Sequence, residues 1–260
     1  EMCIRDSIEA DIKTISALGC YASVAITAVT AQNTLGVRSI CKVTPDVVAD
    51  QIAAVMDDLH PQAIKVGMVN DAETIRAIAT TLCRYPLPPM IIDPVMVSTS
   101  GSRLMEPDAL SLFQATLLPL STLLTPNIPE AELLAGRPIH GLEDMKAAAR
   151  QILQMGPKAV LVKGGHGQGR EKTDLLLIDG SFHTFSSATI STRNTHGTGC
   201  TLSSAIASFV ARGQGICEAV ASAKAYLYEA LRAGADVSVG EGHGPVNHFY
   251  DPQPLILTEQ

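Results

Sequence analysis

No tryptophan occurs in this chain, and aromatic side chains make up only 4% of it. The stacking platforms on which single-stranded nucleic acids rest are therefore poorly supplied. Positive charge is not in excess either: 19 Lys and Arg stand against 26 Asp and Glu, for a formal net charge of -7. That balance offers no general attraction to phosphate backbones or anionic lipid, so neither nucleic acid nor a membrane surface is an expected partner. The six cysteines include no CxxC pair and are scattered through apolar stretches. This argues against a zinc or disulfide framework, predicts that most are small buried thiols, and fits a reducing, cytoplasmic setting. No apolar run reaches the roughly 18 residues of a membrane span, and no signal-peptide pattern opens the sequence. Matches to GxxxxGKS, GxxxxGKT and GxGxxG are lacking too, which speaks against a Walker-type nucleotidase or a dinucleotide enzyme.

What the chain does contain is a regular alternation of apolar runs and amphipathic stretches. Over residues 8–18, Ile8, Ile12, Ile15 and Leu18 recur at helical spacing, and Gly19 follows as a C-cap. Residues 24–29 then read as a buried strand. Thr44-Pro45-Asp46 supplies an N-cap, a first-turn proline and an acidic first turn for a helix ending near His60. Residues 63–66 form the next apolar run, Asn70-Asp71 caps another helix, and Met90-Ile91-Ile92 runs into Asp93-Pro94. Further strands are predicted at 122–124 and 159–162, helices at 128–134, 143–155, 201–212 and 216–233, and a hairpin at 175–185 around Asp179-Gly180. Such alternation predicts a largely parallel sheet with helices on both faces, and 260 residues suffice for one domain of this kind. The loop 164–172, rich in glycine and charge, reads as a mobile lid.

Ligands of a doubly wound sheet gather beyond the carboxyl ends of its strands, so polar groups directly after apolar runs are the candidates for chemistry. Four segments qualify: Gln32-Asn33-Thr34, Asp93-Pro94-Val95-Met96, Thr125-Pro126-Asn127-Ile128-Pro129-Glu130 and Lys163-Gly164-Gly165-His166. A fifth stretch, Asn194-Thr195-His196-Gly197-Thr198-Gly199-Cys200-Thr201, leads into an alanine-rich helix. Small residues let a ligand approach the backbone, and the free N–H groups of a helix start favour an anion there, so this stretch reads as a phosphate cradle. A tight glycine turn that merely begins a helix is the plain alternative.

These segments together resemble the ribokinase-like kinases. Asn194 to Thr201 is similar to their anion-hole signature, and Thr125-Pro126-Asn127-Ile128-Pro129-Glu130-Ala131 to their metal motif. Gly242-His243-Gly244-Pro245-Val246-Asn247-His248-Phe249 resembles the C-terminal signature of hydroxymethylpyrimidine and phosphomethylpyrimidine kinases. Asp11-Ile12-Lys13-Thr14, Ala31-Gln32-Asn33-Thr34, Gly67-Met68 and Asp93-Pro94-Val95-Met96 match that family in the same order. The resemblance implies a three-layer α/β/α sandwich, ATP as cosubstrate, Mg²⁺, a pyrimidine alcohol or its phosphate as acceptor, and a homodimer. Residue by residue, it implies that Gln32 reads the pyrimidine, with an amide that donates and accepts at once, and that Met68 walls the pocket. Thr195, Gly197, Thr198 and Gly199 would cradle phosphate, Lys163 would clamp it, and Asp93 and Glu130 would organise the metal. Cys200 stands where many sugar kinases of the superfamily carry an aspartate base. It would accept a proton or only shape the cradle, while His196 orients the loop.

Each residue also has a plainer reading: a loop glutamine for Gln32, core packing for Met68, a turn residue before proline for Asp93, a first-turn acid for Glu130, a solvated lysine for Lys163. The family opens with a short strand and a glycine-rich loop that residues 1–7 do not supply. The expectation is a sheet without its first strand, and a non-native segment in its place. A pyridoxal kinase, a catalytically silent ligand-binding relative and a hydrolase using Cys200 and His196 are the competing readings.

Overall fold

The computed structural model describes residues 7–69, 71–96, 105, 107–165 and 171–257. Along the chain, α1 (Ser7–Ala17) is followed by a hairpin of β1 (Ala28–Asn33) and β2 (Gly36–Lys42), then α2 (Pro45–Asp58), β3 (Ile64–Val66), α3 (Ala72–Leu82), β4 (Met90–Ile92) and α4 (Pro107–Thr116). There follow β5 (Leu123–Leu124), α5 (Ile128–Ala135), α6 (Leu142–Leu153), β6 (Ala159–Val162), β7 (Glu171–Ile178), β8 (Ser181–Ala188), α7 (Thr198–Ala211) and α8 (Ile216–Gly234).

Strands β3 to β8 form one six-stranded sheet in sequential order. The pairs from β3 to β6 are parallel, as the strand-helix alternation predicts, and β6-β7-β8 is antiparallel. Successive side chains of a strand point to opposite faces, and β6 shows this directly. Val160 and Val162 pack into an apolar cluster with α3, α4, α5 and α6, whereas Ala159 and Leu161 pack with α7 and α8. Two buried clusters on the two faces of one sheet make the three-layer α/β/α sandwich that the resemblance implies. Among the described residues no helix is long and apolar enough to cross a membrane.

Several expectations need correction. Residues 24–29 are not a buried core strand: β1 starts at Ala28, belongs to a separate two-stranded sheet, and leaves Val29 58% exposed. A β-branched run specifies extended backbone but not which sheet it joins. Gln32 and Asn33 consequently lie inside a hairpin strand, not beyond the end of a core strand. The Asn33 side chain turns the hairpin by accepting from Leu35 N and Gly36 N at 3.0 and 3.2 Å. The helix expected from 201 begins three residues earlier, and α4 was not foreseen at all. Cysteines are less buried than expected: Cys41 and Cys83 are exposed, while Cys20, Cys200 and Cys217 are half-buried. Of the expected lid at 164–172, residues 166–170 lie outside the described residues, and its two ends are fixed. Gly164 N donates to Asp174 Oδ1 at 2.8 Å, and Glu171 and Lys172 already belong to β7. His166, Asn70 and residues 1–6, with the expectations that rest on them, lie outside the described residues.

Candidate active site

Three neighbouring parallel strands deliver polar groups at the same end of the sheet. Asp93 follows β4, Thr125 follows β5, and Lys163 follows β6. Lys163 Nζ donates to Asp93 Oδ1 at 2.6 Å, and Thr125 Oγ1 donates to the same oxygen at 3.3 Å. Ser203 Oγ donates to Asp93 Oδ2 at 3.4 Å from the first turns of α7. Asp93 is only 2% exposed, so its charge is stabilised by these partners rather than by water. Burial disfavours the Lys163 ammonium, but Asp93 and Glu130 outweigh it and hold the lysine pKa above its ordinary value.

Glu130 is fixed by the start of α5. Asn127 Oδ1 accepts from Glu130 N at 2.9 Å, and Glu130 Oε2 accepts from Asn127 N at 2.9 Å, a reciprocal capping box. The other oxygen, Oε1, accepts from Met96 N at 3.4 Å. Glu130 therefore does act as a first-turn acid, while also facing Asp93 and Lys163. Burial, seconded by the Asp93 charge, raises its pKa to about 7 against the pull of Lys163 and the two backbone N–H groups. Two buried carboxylates share one ammonium here. These two carboxylates are the residues that could hold a divalent cation such as Mg²⁺, through water where the protein already occupies their oxygens. Among the described residues there is no cluster of three or more His, Cys, Asp or Glu side chains that could hold a metal by itself.

The cradle faces this cluster. Gly197 has φ of 76° as the N-cap of α7, a left-handed conformation that favours glycine. Thr198, Gly199 and Cys200 then form the first turn, where Thr198 N donates back to Thr195 O at 3.4 Å and the helix dipole leaves positive potential. A Cβ on Gly199 would lie 3.5 Å from both Asp93 Oδ2 and Lys163 Nζ, which places the helix start directly against the charged cluster. Thr195 N donates to Arg193 O, and His196 N donates to Gly244 O at 3.1 Å, so both shape the loop through their backbones. Asn194 is 7% exposed, and its Nδ2 donates to Gly234 O and Val237 O at 2.6 Å each, tying the loop to the end of α8. A cleft of about 430 Å³ beside it is lined by residues 191–194 and 235–238.

A second buried ion pair was missed by the sequence reading. Lys65 Nζ, on β3, donates to Asp11 Oδ1 and Oδ2 at 3.0 and 2.8 Å, and Ser204 Oγ donates to Asp11 Oδ1 at 2.6 Å. Burial opposes the Lys65 charge, yet electrostatic interaction with Cys200, Asp11 and Asp93 raises its pKa above the ordinary lysine value. Cys200 thus lies in the field of two ammonium groups, Lys65 and Lys163. The signal available in the sequence was a lone lysine between Ile64 and Val66 in an apolar strand.

Gln32 and Met68 are half-buried and come from other elements, the hairpin and the segment after β3. The structure thus brings Asp93, Glu130, Lys163, Gly197, Thr198, Gly199 and Cys200 together at the start of α7, and carries Gln32 and Met68 on other elements.

Comparison with known proteins agrees with this geometry. The family model described as phosphomethylpyrimidine kinase matches residues 7–247. The hydroxymethylpyrimidine/phosphomethylpyrimidine kinase of Rhizobium meliloti is 48% identical over 244 residues, 94% of this chain and 91% of the relative. The crystal structure of phosphomethylpyrimidine kinase from Clostridium difficile superimposes with a TM-score of 0.78 at 44% identity, covering 86% of this chain and 92% of that one. The pyridoxal kinase of Staphylococcus aureus, solved with AMP-PCP and pyridoxal, gives a TM-score of 0.84 at 30% identity over 93% of this chain and 87% of its own. The chain belongs to the phosphomethylpyrimidine kinase family of ribokinase-like phosphotransferases.

Proposed function

We propose that this chain, as a single kinase domain working in a homodimer, transfers the γ-phosphoryl group of ATP to the hydroxyl of a hydroxymethylpyrimidine and then to the resulting monophosphate, as a step of thiamine synthesis. The observation that carries the reading is the start of α7 facing the Lys163–Asp93 pair so closely that a Cβ added to Gly199 would touch both. Phosphoryl transfer through a loose transition state needs alignment and charge neutralisation more than covalent help. The Gly199 N–H and the helix dipole offer the anion site, with Thr195, Gly197, Thr198 and Cys200 shaping the helix start around it.

Each side chain then has a task. Lys163 clamps phosphate oxygens while Asp93 fixes where its ammonium sits. Asp93 and Glu130 are the residues that would hold Mg²⁺ through water, and the ion when bound would supply positive charge that neutralises the phosphate. Gln32 reads the edge of the ring, and Met68 packs against its face. As the bond from the acceptor oxygen to phosphorus forms and the bond from phosphorus to the β–γ bridging oxygen breaks, the hydroxyl proton passes to Cys200 and ADP departs with the bond electrons.

Incubation with hydroxymethylpyrimidine, ATP and Mg²⁺, followed by mass spectrometry, should reveal mono- and diphosphorylated products. Pyridoxal offered in parallel is the competing acceptor, because the Staphylococcus aureus relative was solved with it. Phosphorylation of pyridoxal alone would overturn the pyrimidine assignment, and phosphorylation of neither would overturn the kinase assignment.

A further inference from the structure

The C-terminal stretch from Gly240 to His248 has no task in the mechanism above, yet it is packed against both halves of the site. At one end it meets the turn of the hairpin that carries Gln32. Gly242 N donates to Thr34 Oγ1 at 3.2 Å, and Thr34 is 7% exposed. Any Cβ on Gly242 would overlap the Thr34 carbonyl, and one on Gly240, whose φ is +69°, would come within 2.6 Å of the Thr34 side chain. No other residue type fits so close an approach without moving the hairpin.

At its other end the same stretch meets the cradle. A Cβ on Gly244 would overlap Asn194 Oδ1, and Gly244 O accepts from His196 N. His243 Nδ1 lies 3.1 Å from Arg193 O, and Pro245 forms a bridge with His196. His248, 6% exposed, places Nε2 3.0 Å from Thr201 Oγ1 on α7, and its carbonyl accepts from Tyr226 on α8 at 2.7 Å. Asn247 N donates to Ala230 O at 3.0 Å. The cradle-side end is thus anchored to two helices.

Among the described residues the hairpin forms a two-stranded sheet apart from the six-stranded one. Its base is held by Gln51, which accepts from Ile26 N at 2.9 Å and donates to Ile26 O at 3.0 Å, and its tip meets the glycine stretch. We propose that residues 240–248 form a strut that sets the distance between the acceptor-reading hairpin and the phosphate cradle, with Thr34 and Gly242 as positioning residues for phosphoryl transfer. This rests on the reading of Gln32 as the acceptor contact. In-line transfer demands placement of the hydroxyl within fractions of an ångström, and a hairpin detached from the main sheet needs such a brace.

The test uses the full chain with Thr34→Val, which removes the hydroxyl and keeps the shape, and Gly242→Ala, which forces the two segments apart. Amide hydrogen exchange reads the mechanics without any turnover. Amides of 28–42 should exchange about tenfold faster in both variants, while those of 198–204 stay within about twofold. Steady-state kinetics should show the acceptor KM raised about 5- to 10-fold in Thr34→Val, the worth of one lost hydrogen bond, and the ATP KM unchanged within about twofold. Unaltered hairpin exchange in Thr34→Val overturns the strut, as does acceleration spread evenly through the core strands. If Gly242→Ala does not fold, the valine variant decides. If the unaltered protein phosphorylates no pyrimidine alcohol, the functional assignment falls, and hydrogen exchange still decides the strut.

Discussion

Lys163 and Asp93 meet across the end of β5, each from a strand on either side of it, with 2.6 Å between nitrogen and oxygen. Both side chains are largely buried, so removing one partner strands the other in a medium that solvates it poorly. Lys163→Met should therefore destabilise the fold by about 3 to 5 kcal/mol and abolish turnover. Adding Asp93→Asn should restore most of the stability and none of the activity. Chemical denaturation and product assay of the single and double variants check this; recovery of turnover in the double variant would remove both residues from the mechanism.

Glu130→Gln separates charge from shape. A glutamine at this position still accepts from Asn127 N and preserves the capping box, so the melting temperature should barely move. Turnover should fall and the Mg²⁺ concentration for half-maximal rate should rise, because the charge that organises the ion is gone. A titration of rate against Mg²⁺ gives the answer, and an unchanged rate at saturating Mg²⁺ would leave Glu130 as a cap only.

Gln32→Ala should raise the KM for the pyrimidine about 5- to 150-fold, the equivalent of about 1 to 3 kcal/mol for a polar partner left unsatisfied. ATP affinity should not change, since the hairpin and the cradle are separate elements. Calorimetric titration of each ligand distinguishes a ring contact from general damage to the fold.

His248 predicts a pH dependence of stability. Burial, with the Lys13 charge in support, lowers its pKa from 6.5 to about 4. The unfolded chain then binds the proton more readily, so the contribution of His248 is complete above pH 6.5 and is lost as pH falls through that value toward 4. By pH 4.5 the loss should reach about 2 kcal/mol relative to neutral pH. Denaturation curves of the protein and of His248→Gln at both pH values test it: the variant should lack this part of the acid limb.

Much of the fold was legible because local patterns and tertiary context agree. Pro45 at a helix start, the apolar run ending at Asp93, and Asp179-Gly180 between two strands each specify their element from neighbouring residues alone. Asp93, Glu130, Lys163 and the cradle were legible by their place after strands and at a helix start. The Lys65–Asp11 pair was not, because its partners lie 54 residues apart and only packing brings them together. The start of α7 was placed late since Gly197 and Gly199 have low helix propensity, which the capping geometry overrides. The helix at Pro107–Thr116 was overlooked despite a readable signal, a first-turn proline and an acid followed by Ala109 and Phe113 on one face. Residues 24–29 were misplaced because alternation cannot distinguish a hairpin beside the sheet from a strand within it.

The hairpin of residues 28–42 exchanges no ladder hydrogen bonds with the six-stranded sheet, and its two strands are registered only against each other. Its sequence can therefore change without disturbing the register of the core, provided that contacts such as the Gln51 grip on the base, the Lys42–Asp71 ion pair and the Thr34–Gly242 hydrogen bond are kept. On the proposed role of Gln32, acceptor preference becomes modular: a transplanted hairpin that keeps these fastenings would carry a new side chain at that position while the residues around Lys163 and the start of α7 stay as they are.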